Sequence, residues 1–244
     1  MRSYFFKLGT DTKLYYIGVA HSYDPSHPQF KEIRARWRGY LSETIDKNRI
    51  IVVEHAPNDV YENGEDDAIK KDGEVGLVAV LARNNGVKVV CLEPDRSSEF
   101  SFLGTVFSRD EIAYYYFARV VAQWHRIPAP RPQFEEYMGP YLRRDQEVSG
   151  WHNFDFSLPA IMAIHKKLFK KEFNSADADF FNTVHNPTLD KTVINKVART
   201  LHKYRNKQVV EGVKRMWNEG INIFMLYGRG HAEAHEKSLR EILH

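Results

Sequence analysis

The sequence lacks most of the features that would place the protein in an extreme class. The 244 residues include one cysteine, which excludes an intramolecular disulfide and a cysteine-rich zinc site. No apolar run approaches the roughly 18 residues that a membrane span needs. The 35 Lys and Arg residues nearly balance the 32 Asp and Glu residues, so the net charge is only +3 and no basic stripe is present. We therefore expect neither a membrane protein nor an electrostatic nucleic-acid binder.

The opening residues also lack the long apolar segment of a secretory signal, so we expect the protein in the cytosol. What is present is an ordinary globular composition. The chain is 43% hydrophobic and 27% charged, which favours a folded core over disorder. Its length fits one large domain or two small ones.

Four short apolar runs predict strands that are buried on both faces, as in a parallel sheet. Each run leads into an ionisable residue. The runs are 14–20 before His21, 49–53 before Glu54, 87–92 before Glu93, and 221–227 before His231. A further apolar segment at 4–7 is predicted to pair with the first run as an antiparallel hairpin.

Helical periodicity occupies the segments between these runs. Apolar residues recur every four positions over 30–46, which predicts an amphipathic helix. A second helix is predicted over 74–84, with Gly86 as its stop, and a closing helix over 231–243. The alternation of strands and helices indicates βαβ units. The apolar face of the first helix is formed by Ile33, Trp37, Leu41 and Ile45.

Residues 108–218 carry almost no strand signal and predict helices. A capping-box pattern at Ser108 opens an aromatic-rich helix that runs to about Trp124, and the prolines of 127–132 end it. Two further helices are predicted over 158–173 and 188–218.

Together these elements predict an α/β fold with a mostly parallel central sheet flanked by helices and an N-terminal hairpin. We predict one domain over 1–244, with 108–218 as a helical insertion before the last core strand. Because strands on both sides of the insertion belong to the same sheet, their ends are expected to meet.

The ends of the predicted strands indicate where the function lies. Ligands of open α/β sheets bind at the carboxyl ends of parallel strands, which here carry His21, Glu54, Glu93 and His231. Both histidines end a Gly-x-x-His motif, whose glycine permits a close backbone approach. Two imidazoles with carboxylates and no thiolates suit either a divalent metal (Mn, Co, Fe or Zn) or a general acid–base cluster.

Each of these residues also has a purely structural explanation. The two histidines could cap strand–helix junctions, and Glu54 could form an ion pair with Arg205. Glu74 lies in the first turn of a predicted helix, where the helix dipole alone favours an acid. His235 follows His231 by four residues and could share its helix face.

The order of the motifs resembles that of the superfamily that groups TraB/TIKI proteins, erythromycin esterases and haem-binding ChaN-type lipoproteins. The marks of this superfamily match the two Gly-x-x-His motifs at His21 and His231, the acid Glu54 and the pair Arg205-Asn206. A second signature of the superfamily, Gly-Glu followed by Glu-Pro, is similar to Gly73-Glu74 and Glu93-Pro94. The resemblance covers 14–95 and 199–243.

The resemblance implies an erythromycin-esterase- and ChaN-like fold and the hydrolysis of a carbonyl bond. TIKI members are metal-dependent peptidases, and erythromycin esterases open a macrolactone ester. We therefore predict a hydrolase of an ester or amide in a small-molecule or peptide substrate. The roles that we assign are metal ligands or water-holding groups for His21, Glu54 and His231, general base for Glu74 or Glu93, and oxyanion partner for Arg205.

Two other classes of function stay open. ChaN-type members bind haem iron, so the alternative is a non-catalytic protein that holds a metal or haem in the same cleft. A third class is an interaction module that uses the surface of the helical insertion.

Overall fold

The computed structural model describes residues 4–45, 47–57, 61 and 63–243. The chain divides into two compact units. Unit 1 comprises Met1–Glu93 and Asn206–His244, and unit 2 comprises Pro94–Arg205. Within the described ranges, no helix has the length and apolar character that crossing a membrane requires.

Unit 1 contains a five-stranded sheet with the strand order β1-β2-β5-β3-β4. Strand β1 is antiparallel to β2, and each of the other neighbouring pairs is parallel. The predictions of a mostly parallel α/β sheet and of a hairpin at its start are confirmed. The strands are β1 (Tyr4–Leu8), β2 (Leu14–Val19), β3 (Arg49–Val53), β4 (Lys88–Cys91) and β5 (Asn222–Gly228).

Helices cover both faces of this sheet, which explains why its strands read as continuous apolar runs. On one face, Ile17, Ile51 and Phe224 pack with residues of α1 and α2. On the other face, Tyr16 and Met225 pack with α9 and with the part of α8 that belongs to unit 1. These helices are α1 (Gln29–Glu43), α2 (Glu65–Asn84), α8 (Val193–Asn218) and α9 (Arg229–Ile242).

Unit 2 is helical and has its own aromatic-rich core. Helix α4 begins with the predicted capping box: Glu111 N–H donates to the Ser108 hydroxyl, and the Glu111 carboxylate accepts from Ser108 N–H. Most residues of α4 from Ile112 to Ala122 are buried on all sides, so α4 forms the centre of this core. The helices of unit 2 are α3 (Arg96–Leu103), α4 (Arg109–Arg126), α5 (Phe134–Ser149), α6 (Leu158–Phe169), α7 (Ala178–Val184) and the start of α8.

Two helices of unit 1 differ from the predicted bounds. Helix α1 ends at Glu43, so Ile45 is 64% exposed rather than buried, and Tyr40 is the buried residue in the last turns. Asp46, the last residue of the predicted helix, lies outside the described residues. Helix α2 begins at Glu65 rather than at 74, because its non-helical backbone at Asp72 and Gly73 joins two helical segments.

Three helices of unit 2 were not predicted: α3, α5 and α7. Helix α3 starts from an N-cap, in which the Asp95 carboxylate accepts the N–H of Ser98 at 2.7 Å. Helix α5 continues through Pro140, a residue that normally ends a helix. Helices α6 and α8 are shorter than the predicted 158–173 and 188–218.

Gly18, the second-to-last residue of β2, allows α9 to pack closely on the sheet. A Cβ at this position would lie 2.7 Å from the Ala232 Cβ and 3.0 Å from the Tyr4 Cβ. We expect Gly18→Ala to lower the free energy of unfolding by about 1–3 kcal/mol, because these neighbours would have to shift. Urea unfolding followed by circular dichroism measures this loss.

The matched control is Gly39→Ala in α1, where a Cβ would meet no atom closer than 3.9 Å. This variant should gain about 0.5–1 kcal/mol, because alanine loses less backbone entropy in a helix than glycine does. Equal stability of the two variants would contradict the close packing of α9 on β2.

Candidate functional site

The parallel register of unit 1 brings the ends of three strands together. Val19 of β2 lies opposite Gly228 of β5, and Val53 of β3 lies opposite Leu226. The residues that follow these strands therefore emerge at one edge of the sheet. The sequence predicted that His21, Glu54 and His231 converge at the carboxyl ends of the strands, and the structure places their side chains close together at this edge.

These side chains meet over Gly228. A Cβ at Gly228 would lie 3.1 Å from His21 Nε2 and 3.3 Å from Glu54 Oε2. Glycine therefore gives the imidazole and the carboxylate room to approach the backbone at the end of β5. This close approach is the physical reason for a glycine at the start of the second Gly-x-x-His motif.

Glu54 connects the end of β3 to the start of α9. Its Oε2 accepts the N–H of Gly228 at 2.9 Å, and its Oε1 lies 3.7 Å from His231 Nε2. Both side chains are partly buried. A half-buried carboxylate is stabilised by such partners, which also fix its orientation.

His21 lies between two carboxylates. Its Nδ1 is 3.6 Å from Glu74 Oε2, and its Nε2 faces Gly228 and Glu54. The His21 side chain is 63% exposed, whereas that of Glu74 is only 5% exposed. The buried acid thus orients an imidazole whose other nitrogen is accessible.

This environment raises the pKa of His21 above its ordinary value. The largest cause is Glu74 as hydrogen-bond acceptor, and the negative charge of Glu54 adds to it. Burial acts in the opposite direction, because it disfavours the charged imidazolium.

Glu74 is positioned by the interruption of α2. Gly73 has a φ of +57°, a conformation that favours glycine, and it packs against the carbonyl oxygen of Ser22. Immediately after it, Glu74 Oε1 accepts the N–H of Ser22 at 2.7 Å and the amide of Gln29 at 2.6 Å. Glu74 was predicted as a general base or as a simple first-turn acid, but its hydrogen bonds make it a buried anchor for the loop of His21.

Gln29 is a site residue that the sequence did not indicate. It is buried, and it exchanges two hydrogen bonds with the backbone of Ala20 while donating to Glu74. It therefore holds the end of β2, the residue before His21, at a set distance from α2. A lone glutamine at a helix start carries no recognisable pattern, so only the tertiary structure identifies it.

His231 is oriented from the other side by Asn206. Asn206 Oδ1 lies 3.4 Å from His231 Nδ1 and 3.1 Å from His235 Nε2, so both ring N–H groups donate to one amide oxygen. His235 in turn lies 2.8 Å from the Tyr16 hydroxyl, and both of these side chains are fully buried. His235 therefore contacts the core and Asn206 instead of sharing a ligand with His231 at the surface.

Glu93 and Arg205 are the two other residues that the sequence predicted for the site. Burial is the largest cause that raises the pKa of Tyr16 and of Tyr227, and the charges of Glu54 and Glu93 raise both further. Glu93 thus acts electrostatically on the face of the sheet that α9 covers.

Arg205 belongs to unit 2, where its Nε lies 3.5 Å from Glu99 Oε1. Its role as oxyanion partner stays a prediction.

The described side chains do not form a ready set of ligands for a metal ion. Across the described part of the chain, no group of three His, Cys, Asp or Glu side chains is arranged to hold a metal ion. Glu54 instead uses one oxygen for the Gly228 N–H, and His231 uses Nδ1 for Asn206. The divalent ion stays a prediction, and the proposed reaction does not depend on it.

The pKa of His21 provides a direct test of this geometry. Glu74→Gln should lower it towards the ordinary histidine value, because the charged acceptor is lost. A raised pKa means that the stabilisation from protonated His21 is complete below the unfolded-state pKa and is lost as the pH rises through the folded-state pKa. NMR titration of the His21 ring protons measures the shift.

The control is Asp66→Asn, which removes an exposed acid from the first turn of the same helix. It should leave the titration of His21 unchanged. If both variants titrate like the wild-type protein, Glu74 does not orient His21.

Comparisons of the chain with protein-family models, curated proteins and solved structures find no match. The resemblance to the TraB/TIKI, erythromycin esterase and ChaN-type superfamily therefore stays a prediction that rests on its motifs.

Proposed function

We propose that the protein is a hydrolase of a carbonyl bond, in an ester or amide of a small molecule or peptide. One observation carries the proposal: the imidazoles of His21 and His231 flank the Glu54 carboxylate at the Gly228 corner, and each has its other ring nitrogen held by a second partner. Positioned nitrogens beside a carboxylate are the groups that general acid–base catalysis requires. The cytosolic location and the superfamily fold belong to the same proposal.

His21 is the proposed general base. Glu74 Oε2 lies 3.6 Å from Nδ1 and favours a proton on that nitrogen, so the neutral ring presents Nε2 to a water molecule, as a carboxylate-oriented histidine does in catalytic triads. The raised pKa suits this role, because it makes the Nε2 nitrogen a stronger base than that of an ordinary histidine. Nε2 takes a proton from the water, whose oxygen forms a bond to the carbonyl carbon while the π electrons move to the carbonyl oxygen.

The start of α9 is the proposed oxyanion site. Its N-cap is Gly228, which provides no side-chain cap, so the first backbone N–H groups of the helix have no intrahelical acceptors. These donors and the helix dipole stabilise negative charge. When the tetrahedral intermediate collapses, the bond to the leaving group breaks, and that group takes the proton from the His21 imidazolium.

Glu54 and His231 complete the proposed site by holding water. Glu54 Oε1 and His231 Nε2 are 3.7 Å apart, which is longer than a direct hydrogen bond. A water beside this pair can donate one hydrogen bond to Glu54 Oε1 and one to His231 Nε2.

The two histidines should be essential for turnover. We expect His21→Ala and His231→Ala each to lower kcat/KM for a responsive ester or amide by about 100-fold or more, because the first removes the general base and the second removes a group that holds water in the site. The measurement is a screen of aryl esters and peptide amides with purified full-length protein, followed by kinetics on the substrate that responds. His152→Ala, which removes an exposed histidine of unit 2, is the control and should keep full activity.

Elemental analysis of protein purified without an affinity metal distinguishes the hydrolase proposal from the alternative of a metal- or haem-binding protein. About one equivalent of metal or haem, lost in His21→Ala and His231→Ala and accompanied by no turnover, would replace the hydrolase proposal with that alternative. Unchanged turnover in both variants would also overturn the hydrolase proposal.

Gly228→Ala tests whether the close approach at this corner matters for chemistry. The new Cβ would meet the ends of the His21 and Glu54 side chains, and the φ of −54° is accessible to alanine. We therefore expect a stability change below about 1 kcal/mol, because both side chains can move away. We expect kcat/KM to fall about 10-fold, because the two groups leave their positions.

The control for this variant is Gly39→Ala, which lies outside the site. It should keep full kcat/KM. If Gly228→Ala keeps full activity as well, the geometry at this corner does not determine the rate.

A further inference from the structure

Unit 2 contains a cavity of about 260 Å³ that is lined mainly by polar groups. Helices α3, α4 and α5 each contribute one arginine to it: Arg96, Arg119 and Arg144. The side chains of Tyr116, Gln123 and Tyr141 form most of the rest of the lining. The site proposed for hydrolysis uses none of these residues.

A tyrosine ring supports each of the three guanidinium groups. The carbon centre of the guanidinium lies 3.6 Å from the ring of Tyr116 for Arg96 and 5.2 Å from the ring of Tyr141 for Arg144. Arg119 lies 5.8 Å from the ring of Tyr115. Arg96 stacks on its ring, and its N–H groups are directed at Asp145 and Glu99. Arg144 and Arg119 lie within cation–π distance of their rings without stacking on them. The ring contacts therefore restrict the positions of the three cations before any ligand binds.

The carboxylates around the cavity do not balance its positive charge. Asp145 pairs with Arg96 at 3.1 Å and with Arg144 at 3.6 Å. Glu99 lies 3.7 Å from Arg96, but it also lies 3.5 Å from Arg205. Two carboxylates are thus shared among Arg96, Arg144 and Arg205.

Arg119 is the arginine that this ion-pair network leaves out. Among the described residues it has no carboxylate within ion-pair distance and no hydrogen-bond acceptor, although it is only partly exposed. A half-buried cation without a counter-ion, beside two further cations, is costly unless an anion joins it. Packing alone does not require an arginine there, since neighbouring positions on α4 are filled by apolar residues.

We propose that this cavity binds a phosphoryl group, either as inorganic phosphate or as part of a small phosphate monoester. Guanidinium groups from three helices match the several oxygens and the double charge of phosphate, and arginine binds such oxygens in a bidentate manner. A carboxylate has two oxygens and one charge, so it would leave part of the donor set unused. The cavity lies within unit 2, and the inference does not depend on the proposed hydrolase activity.

Isothermal titration calorimetry on the full chain tests the proposal. Inorganic phosphate, glycerol 3-phosphate and succinate are titrated separately at one ionic strength. We expect saturable binding of phosphate, and weaker binding of succinate. Tighter binding of glycerol 3-phosphate than of inorganic phosphate identifies a monoester as the ligand class, whereas equal or weaker binding identifies free phosphate.

Arg119→Gln provides the decisive comparison. It should weaken the binding of phosphate by about 10-fold or more, because it removes a charged donor group. Arg126→Gln removes an exposed arginine from the same helix and should keep the wild-type affinity within about twofold. Arg119→Lys keeps the positive charge but not the planar set of guanidinium donors, so its affinity for phosphate should lie between those of the other two variants. It also provides the measurement if Arg119→Gln fails to fold by circular dichroism.

Three results would overturn the proposal. The first is the absence of binding of either phosphate ligand to the wild-type protein up to about 10 mM. The second is an affinity for phosphate that is unchanged in Arg119→Gln and in Arg119→Lys. The third is binding of succinate as tight as that of phosphate, which would identify a site for carboxylates instead.

Discussion

The parallel pairing of β2, β5 and β3 in one register is the constraint on which the candidate site depends. It places Val19 opposite Gly228 and Val53 opposite Leu226, so the three strands end together. A shift of one residue in a strand would turn every side chain to the opposite face, which the two cores of unit 1 forbid. The hydrogen bond from Gly228 N–H to Glu54 is possible only in this register. Core packing and site geometry therefore have a common origin.

A buried carboxylate extends this constraint to the helices. Burying the charge of Glu74 is costly unless hydrogen bonds replace its water. Ser22 N–H and the Gln29 amide provide them, and Gln29 binds Ala20 as well. This arrangement is accompanied by a break in α2 at Gly73, where the backbone adopts a positive φ. The local irregularity and the position of His21 are thus two consequences of the same buried charge.

The sequence predicted the parts of this arrangement that leave a local pattern. Uninterrupted apolar runs marked the core strands, and the ionisable residues after them marked the edge where His21, Glu54 and His231 lie. Side chains that act only through distant partners leave no such pattern, and Gln29 and Tyr16 were missed for that reason. Helix α5 was missed because Pro140 normally ends a helix, yet the burial of Met138 and Leu142 in the unit 2 core stabilises it. The ends of helices were the least predictable, as Ile45 shows, because a helix stops where its packing stops and not where its periodicity does.

The partners of the two imidazoles suggest how one site could both take up and release a proton. Glu74 is an anion, and an anion beside an imidazole stabilises the protonated ring. Asn206 is neutral, so its amide oxygen determines which nitrogen of His231 carries a proton without adding a charge of its own. Glu54 lies near both rings and acts on each of them. These unlike surroundings give the two rings different roles in the proposed reaction: His21 exchanges the proton, and His231 holds water.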